Sequence, residues 1–302
     1  MRWSSDHAGG TTSDETHAEL VVLDFEATCR PGGAPQPQEI IEFPSVLVDL
    51  EVGRVIDEFS TFVRPVHHPR LSEFCTELTS IRQEDVERAA TFPEVLRRHQ
   101  RWLEGHGLLP DAEGAAPRFV FATCGDWDLA TMLPTQCAAS GLSIAALPRP
   151  YRRWTNIKKI FAELTGRTKG QGMPAMLRHL GLALEGRHHR GIDDCRNIAR
   201  IALALHERGA SFRPTSQLAA SRYPPLPLEL QRGELVHSAV LHKRAVGTLL
   251  GLARSLFRTN IIAVHTLAGQ AITRDEALME LQPGTRLRAL TGADLNRLRD
   301  DA

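Results

Sequence analysis

The first strong hydrophobic pattern in the chain is an apolar run that leads directly into two carboxylates. Val21, Val22 and Leu23 precede Asp24, and Glu26 follows after a single phenylalanine. An apolar, β-branched run predicts a strand, and side chains two residues apart on a strand point to the same face. The two carboxylates are therefore predicted to face one space, where like charges repel unless a cation lies between them. A solvated face of an edge strand is the alternative for this pattern taken alone.

Further along the chain, strand-like and helix-like segments follow one another. We expect strands at 40–50 and 55–63, joined by a hairpin turn, and a short buried strand at 118–122. Amphipathic periodicity predicts helices from Thr91 onward and over 127–139, 155–165, 173–180 and 192–208. Strands first and helices after predict an α/β domain over residues 19–213, with a mixed central sheet flanked by helices.

The composition changes on either side of this predicted domain. Residues 1–18 are polar and are predicted to be a disordered tail, and the proline-rich range 214–228 is predicted to be a partly extended linker. Residues 229–302 again alternate strand and helix signals. They are predicted to form a small C-terminal α/β domain, which we do not recognise.

Composition excludes several classes of protein. Lys plus Arg and Asp plus Glu both number 36, so no net field attracts nucleic acid, and any such binding needs a local patch. Five scattered cysteines without a Cys-x-x-Cys pair argue against a disulfide framework or a zinc site and favour a reducing compartment. The polar start lacks the apolar core of a signal peptide, and no apolar run is long enough to span a membrane. We therefore expect a cytoplasmic protein.

Two aspartates follow the short buried strand, and only one of them is expected in a functional site. Asp128 shares a predicted helix face with Leu129 and Met132, and a carboxylate on a buried face needs a partner such as a cation. Asp126 stands where a helix N-cap belongs. We therefore predict metal binding for Asp128 and helix capping for Asp126.

The start of the last helix of this domain offers another pair. Asp194 is four residues before Ile198 and so lies on the core-facing stripe, whereas Asp193 is rotated by roughly 100° and suits the helix start. His188 and His189 precede this helix in a loop bounded by glycines. Spacing alone leaves open which histidine lies near a substrate.

Carboxylates from a strand and two helix starts, together with an imidazole, suit one chemistry well. Carboxylates select hard divalent ions such as Mg²⁺ or Mn²⁺. Two such ions about 4 Å apart can polarise an attacking water and the leaving oxygen of a phosphodiester. An imidazole with a pKa near neutral can take the proton of the water.

Six motifs in a fixed order give the chain a family resemblance. They are LDFEATC at 23–29, EIIEFP at 39–44, FVRP at 62–65, LTSI at 78–81, GDWD at 125–128 and GRHHRGIDDCRNIA at 186–199. On these motifs the chain resembles the DEDDh exonucleases of the DnaQ-like, RNase H-fold superfamily, and within them the ERI group of 3′-5′ exoribonucleases. The resemblance covers about residues 19–213 and implies an RNase H-like fold for them.

The resemblance also implies roles for particular residues. The implied metal ligands are Asp24, Glu26, Asp128 and Asp194, and Glu26 is also counted as catalytic. The catalytic histidine of the family stands five residues before the last aspartate, which selects His189 over His188. His188 occupies a position that is often proline in the family.

A pocket for the 3′-terminal nucleotide is implied as well. Its implied lining is Ala27, Thr79 and Trp127, and His189 is also counted among the substrate-binding residues. An indole offers a stacking face, and a threonine hydroxyl can meet a ribose hydroxyl. From the residues alone, a core aromatic is an equal alternative for Trp127.

The sequence thus predicts a metal-dependent 3′→5′ exonuclease that acts on single-stranded or 3′-overhanging RNA. It would use two Mg²⁺ or Mn²⁺ ions, with a histidine as general base, and release nucleoside 5′-monophosphates. A DNA 3′-end exonuclease of repair or proofreading type is the alternative within the enzymes. A non-catalytic RNA-binding scaffold is the alternative outside them, but it predicts the loss of a ligand, and none is lost.

Overall fold

The computed structural model describes residues 17–109, 118–167, 172–218, 226–241 and 244–300. Residues 1–16 of the predicted tail (1–18) and residues 219–225 of the predicted linker (214–228) lie outside the described residues.

Two sheets are present in the described parts of the chain. The strands of the larger sheet are β1 (Glu19–Leu23), β2 (Glu26–Ala27), β3 (Ile40–Asp49), β4 (Arg54–Phe62), β5 (Phe119–Thr123), β6 (Arg153–Asn156) and β7 (Ser216–Gln217). The strands of the smaller sheet are β8 (Leu226–Arg232), β9 (Leu235–Leu241), β10 (Ala263–Thr266) and β11 (Thr285–Leu290).

Helices cover both faces of the larger sheet and accompany the smaller one. Those before residue 218 are α1 (Glu73–Thr79), α2 (Gln83–Glu87), α3 (Phe92–Gly105), α4 (Leu133–Ala139), α5 (Ile157–Thr165), α6 (Met173–Leu180) and α7 (Gly191–His206). Those after it are α8 (Val246–Phe257), α9 (Asp275–Met279) and α10 (Gly292–Asp300). A π-helical turn, Asp128–Met132, precedes α4.

The larger sheet is mixed, as the sequence predicts. Its order is β2-β3-β1-β5-β6-β7, with β4 also paired to β3. Strand β1 is antiparallel to β3 but parallel to β5, and β5 is parallel to β6. The carboxyl ends of β1 and β5 therefore lie side by side at one edge of the sheet. The predicted α/β fold with a mixed central sheet and flanking helices is confirmed.

Strand β1 separates two hydrophobic layers. Leu20 and Val22 belong to the layer built with α5, α6 and α7, whereas Val21 and Leu23 belong to the layer built with α3 and α4. A strand that is covered on both faces reads as a continuous apolar run, which is the pattern seen before Asp24.

Some elements differ from the sequence prediction. The sequence pattern does not predict helices α1 and α2 or strand β6, and the helix predicted over 155–165 begins at Ile157 because residues 154–156 pair with β5. The predicted linker range 214–228 contains β7, which pairs with β6, and the first residues of β8. These parts of the range therefore belong to the two sheets.

The smaller sheet has its own core. The order is β10-β11-β8-β9, and its buried side chains include Leu228, Leu249 from α8 and Leu287. In the described part of the chain, no helix combines the length and apolarity needed to cross a membrane. All five cysteines are free.

Candidate active site

Two carboxylates of the candidate site stand at the end of β1. Asp24 follows the last residue of this strand, and Glu26 begins β2, which pairs with β3. Ligand oxygens of Asp24, Glu26 and Asp194 lie within 4.8 Å of one another. The structure thus brings together three acidic side chains from segments far apart in the sequence.

Asp128 joins them from the neighbouring parallel strand. A short turn after β5 leads into the π-helical turn, and Asp128 Oδ1 accepts a hydrogen bond from the Phe25 backbone N–H (2.8 Å). This bond ties the fourth carboxylate to the segment between Asp24 and Glu26. Asp128 is buried, and among the neighbouring charges it has the largest effect on the pKa of Asp24.

Asp194 is brought in by the start of α7. A Cβ on Gly191 would be 2.8 Å from the Asp24 carbonyl oxygen, so only glycine lets the helix begin this close to that backbone. The Gly191 N–H donates to Glu42 Oε2 (3.1 Å), which fixes the helix start. Asp194 then lies in the first turn, buried and directed at the cluster.

Crowding of these acids changes their protonation. Burial, followed by repulsion from Glu42 and Asp194, raises the pKa of Glu26 to about 9. Burial raises the pKa of Asp128 to about 6, and burial also raises the pKa of Asp24 and of Asp194. The cluster therefore retains protons near neutral pH in the absence of a cation.

The donor set fits divalent metal ions. Several oxygen ligands converge within a few ångströms, they are held by backbone hydrogen bonds, and their mutual repulsion would be relieved by positive charge.

Glu42 is an acidic residue beside the site that sequence reasoning missed. It is fully buried on β3, and besides Gly191 it faces Arg190, whose Nε lies 3.3 Å from Glu42 Oε1 without the alignment of a hydrogen bond. Burial raises the pKa of Glu42, while the charge of Arg190 works against that rise. A glutamate in the middle of the apolar run 40–43 is the signal that could have identified it.

Both histidines lie beside Asp194. His188 Nδ1 is 3.0 Å from Asp194 Oδ2, and the His189 backbone N–H donates to the same oxygen (2.9 Å). The two rings stack, with centroids 3.9 Å apart. His189 has a positive φ of 69° and an exposed side chain. Burial and the neighbouring His188 lower the pKa of His189, so its imidazole is available as a proton acceptor.

Asp126 does not cap a helix, so that prediction was wrong. No side chain caps the π-helical turn, and Asp126 Oδ1 instead accepts hydrogen bonds from Trp154 Nε1 (2.9 Å) and Ser216 Oγ (2.7 Å). These bonds tie the turn to β6 and β7. Asp193 does lie in the first turn of α7, as expected.

The residues of the predicted nucleotide pocket have different surroundings. Trp127 is 42% exposed, which excludes the alternative of a core aromatic. Ala27 is buried. Thr79 is also buried, and its hydroxyl donates to the Cys75 carbonyl (2.8 Å) and accepts from the Ile81 N–H (3.2 Å). The Thr79 hydroxyl proton is therefore already committed, which weakens the expectation that it bonds a ribose.

Comparison with known proteins extends this description. The family model described as exonuclease, RNase_T, matches residues 21–202. Human ERI1 exoribonuclease 3 is 42% identical over 201 residues, which cover 66% of this chain and 56% of that protein. Human 3′-5′ exoribonuclease 1 is 35% identical over 212 residues, which cover 70% of this chain and 58% of that protein. The chain thus spans somewhat more than half the length of these curated relatives.

Two solved structures that match this chain are also exonucleases. The nuclease domain of 3′hExo, described as a DEDDh family member bound to rAMP, superposes with a TM-score of 0.62 at 36% identity, over 68% of this chain and all of that one. A 3′-exonuclease described in 3′-end specific recognition of the histone mRNA stem-loop superposes with a TM-score of 0.61 at 32% identity, covering 75% of this chain and 92% of that one.

Proposed function

Because the chain belongs to the exonuclease family represented by that model, we propose that its acidic cluster hydrolyses RNA from the 3′ end. The observation that carries the proposal is the convergence of Asp24, Glu26, Asp128 and Asp194 at one edge of the sheet. The family generally depends on divalent metal ions, and we propose two Mg²⁺ or Mn²⁺ ions here.

We assign a part in this reaction to each side chain of the site. The four carboxylates would hold the ions, which when bound supply the charge that activates a water and stabilises the leaving 3′-oxygen. His189 would take the proton of the attacking water at an imidazole nitrogen, for which a lowered pKa is favourable. The backbone N–H of His189 and the ring of His188 would hold the Asp194 carboxylate in orientation.

The 3′-terminal nucleotide would lie against Trp127. Its exposed indole offers a face on which a base can stack. Ala27 and Thr79 would contribute walls of the same pocket through their positions in β2 and α1. Release of a nucleoside 5′-monophosphate follows from attack on the last phosphodiester. RNA is the proposed substrate because the relatives that match are named exoribonucleases.

A labelled oligonucleotide tests the proposal. With Mg²⁺ or Mn²⁺, the purified protein should shorten a 5′-labelled single-stranded RNA stepwise from its 3′ end and release nucleoside 5′-monophosphates. Asp24→Asn should abolish this activity. Binding without cleavage at any divalent-ion concentration, or equal cleavage by Asp24→Asn, would refute it. Faster cleavage of a matched DNA would assign the site to the DNA exonucleases instead.

A further inference from the structure

Lys158 lies at the edge of the central sheet, next to the acidic cluster. It is the second residue of α5, and its backbone N–H donates to the side chain of Asn156 (3.1 Å), which caps the helix. Asn156 of β6 pairs with Thr123 of β5, the strand that leads to Asp128. The helix therefore begins beside the strand end that supplies one of the four carboxylates.

The ammonium of Lys158 extends over Gly125. A Cβ on Gly125 would stand 3.5 Å from Lys158 Nζ, so the long side chain runs towards the turn that carries Asp128. Burial raises the pKa of Asp128 to about 6, and the charge of Lys158 works against that rise. The lysine is thus close enough to act on the cluster electrostatically.

The effect of Lys158 on Asp128 acts through space and not through a direct bond. Within the described parts of the chain, the Lys158 ammonium makes no ion pair and donates no hydrogen bond. Its neighbour Lys159 is different, because Lys159 Nζ donates to the Thr215 carbonyl (3.1 Å) and to Ser216 Oγ (2.8 Å). Lys158 is a half-buried residue, and an ammonium with three unused donors is well suited to bind a phosphate.

Resting on the proposed function, we propose that Lys158 binds a backbone phosphate of the RNA upstream of the phosphate that reacts. The reacting phosphate belongs beside Asp24, Glu26 and Asp194, whose ligand atoms lie within 4.8 Å of one another. Lys158 stands on the Asp128 side of that group. A nucleotide at the 3′ end carries no phosphate beyond the one that reacts, so a second phosphate in reach of this lysine must lie upstream.

Two substrates distinguish binding of an upstream phosphate from an effect of Lys158 on the reacting phosphodiester. A 5′-labelled oligoribonucleotide contains upstream phosphates, whereas the p-nitrophenyl ester of uridine 5′-monophosphate contains the reacting phosphodiester alone. Lys158→Met should lower kcat/KM on the oligonucleotide by about tenfold, mainly through KM, and leave the ester unchanged. The slope of log(kcat/KM) against log[salt] should become shallower by about 0.7, as expected for one lost contact to a single strand.

Matched variants complete the test. Lys158→Arg should keep most of the oligonucleotide activity. Lys159→Met, one residue further along the same helix, removes a partner of Ser216 and Asp126, so it should change the two substrates alike and leave the salt slope unchanged. An equal loss on both substrates with Lys158→Met, an unchanged salt slope with Lys158→Met, or a loss with Lys159→Met that is confined to the oligonucleotide would overturn the proposal. A wild-type protein that hydrolyses neither substrate would refute the proposed function itself, and this inference with it.

Discussion

Gly191 and Asp24 approach each other so closely that a side chain at position 191 would stand 2.8 Å from the Asp24 carbonyl oxygen and 2.9 Å from Pro44 Cγ. We therefore expect Gly191→Ala to destabilise the protein by about 1–3 kcal/mol, because the start of α7 must move away. Asp194 moves with that helix, so kcat should fall as well. Urea unfolding and a nuclease assay measure the two effects.

A glycine without such a contact is the control. Gly251 lies in α8, and a Cβ added to it would meet no atom within 4 Å. Gly251→Ala should stabilise the helix by about 0.5–1 kcal/mol and leave kcat unchanged. A Gly191→Ala variant with native stability and activity would contradict the packing described for Asp24.

Neighbouring aspartates on α7 allow a paired test of metal ligation. Asp194→Asn should lower kcat by at least about a thousandfold, because it replaces a negatively charged metal ligand of the cluster with a neutral amide. Asp193→Asn should leave kcat nearly unchanged, because Asp193 accepts from the Arg187 N–H (3.0 Å) and pairs with Arg196 (3.1 Å) outside the cluster. Similar losses in both variants would speak against the assignment of Asp194.

The two stacked histidines should differ in their kinetic effects. His189→Ala should lower kcat by about 100-fold or more, as expected for the loss of a general base. His188→Ala should cost about tenfold or less, since it removes one contact that orients Asp194. The comparison is made at saturating metal and substrate. The opposite order would assign the base to His188.

Trp127→Ala should act on substrate binding. Loss of one base-stacking surface is expected to raise KM by about tenfold, within the range of about 1–3 kcal/mol per stacked base. The midpoint of thermal unfolding should change little, because 42% of this side chain is exposed. A large loss of stability with an unchanged KM would show that Trp127 supports the fold and does not bind the substrate.

Metal binding should depend on pH. The pKa of Glu26 is raised from 4.5 to about 9 and that of Asp128 to about 6, so an ion has to displace protons from the cluster. The midpoint of thermal unfolding should therefore rise more on adding Mn²⁺ at pH 8 than at pH 6. Differential scanning calorimetry measures the shift, and Asp24→Asn should largely remove it.

In the metal-free protein, the raised pKa of Glu26 makes the free energy of unfolding depend on pH. A folded-state pKa of about 9 above the ordinary 4.5 means that protonated Glu26 stabilises the folded state fully below pH 4.5. This contribution is lost as the pH rises towards 9. In the presence of a chelator, Glu26→Gln should therefore be more stable than the wild type at pH 8 but not at pH 4.5. Parallel pH profiles of the two proteins would contradict the raised pKa.

The acidic residues could be predicted because each lies in a strong local pattern. Asp24 and Glu26 follow a strand that is apolar on both faces, and Asp194 shares a helix face with Ile198 of the core. Asp126 was assigned incorrectly, since a free helix start in the sequence gives no sign that Trp154 and Ser216 will compete for its side chain. Tertiary contacts decided that position.

Other elements depend on partners that are far away in the sequence. Helix α1 has only seven residues, and its start depends on Ser72, whose hydroxyl accepts from the Cys75 N–H (3.1 Å) and donates to the Cys29 carbonyl (2.6 Å). Strand β8 contains Pro227 and follows a proline-rich stretch, which is typical of an extended linker. Only its pairing with β9 and β11 makes it a strand.

The two hydrophobic layers on either side of β1 have a consequence for how activity is lost. Asp128 lies on the same turn as Leu129 and Met132, which belong to one layer. Asp194 lies in the same helix as Ile192 and Cys195, which belong to the other layer. The distance between these two carboxylates therefore depends on the packing of both layers. Partial opening of either layer separates the ligands while most of the sheet remains paired. Nuclease activity should therefore be lost at a lower denaturant concentration than the one at which the protein unfolds.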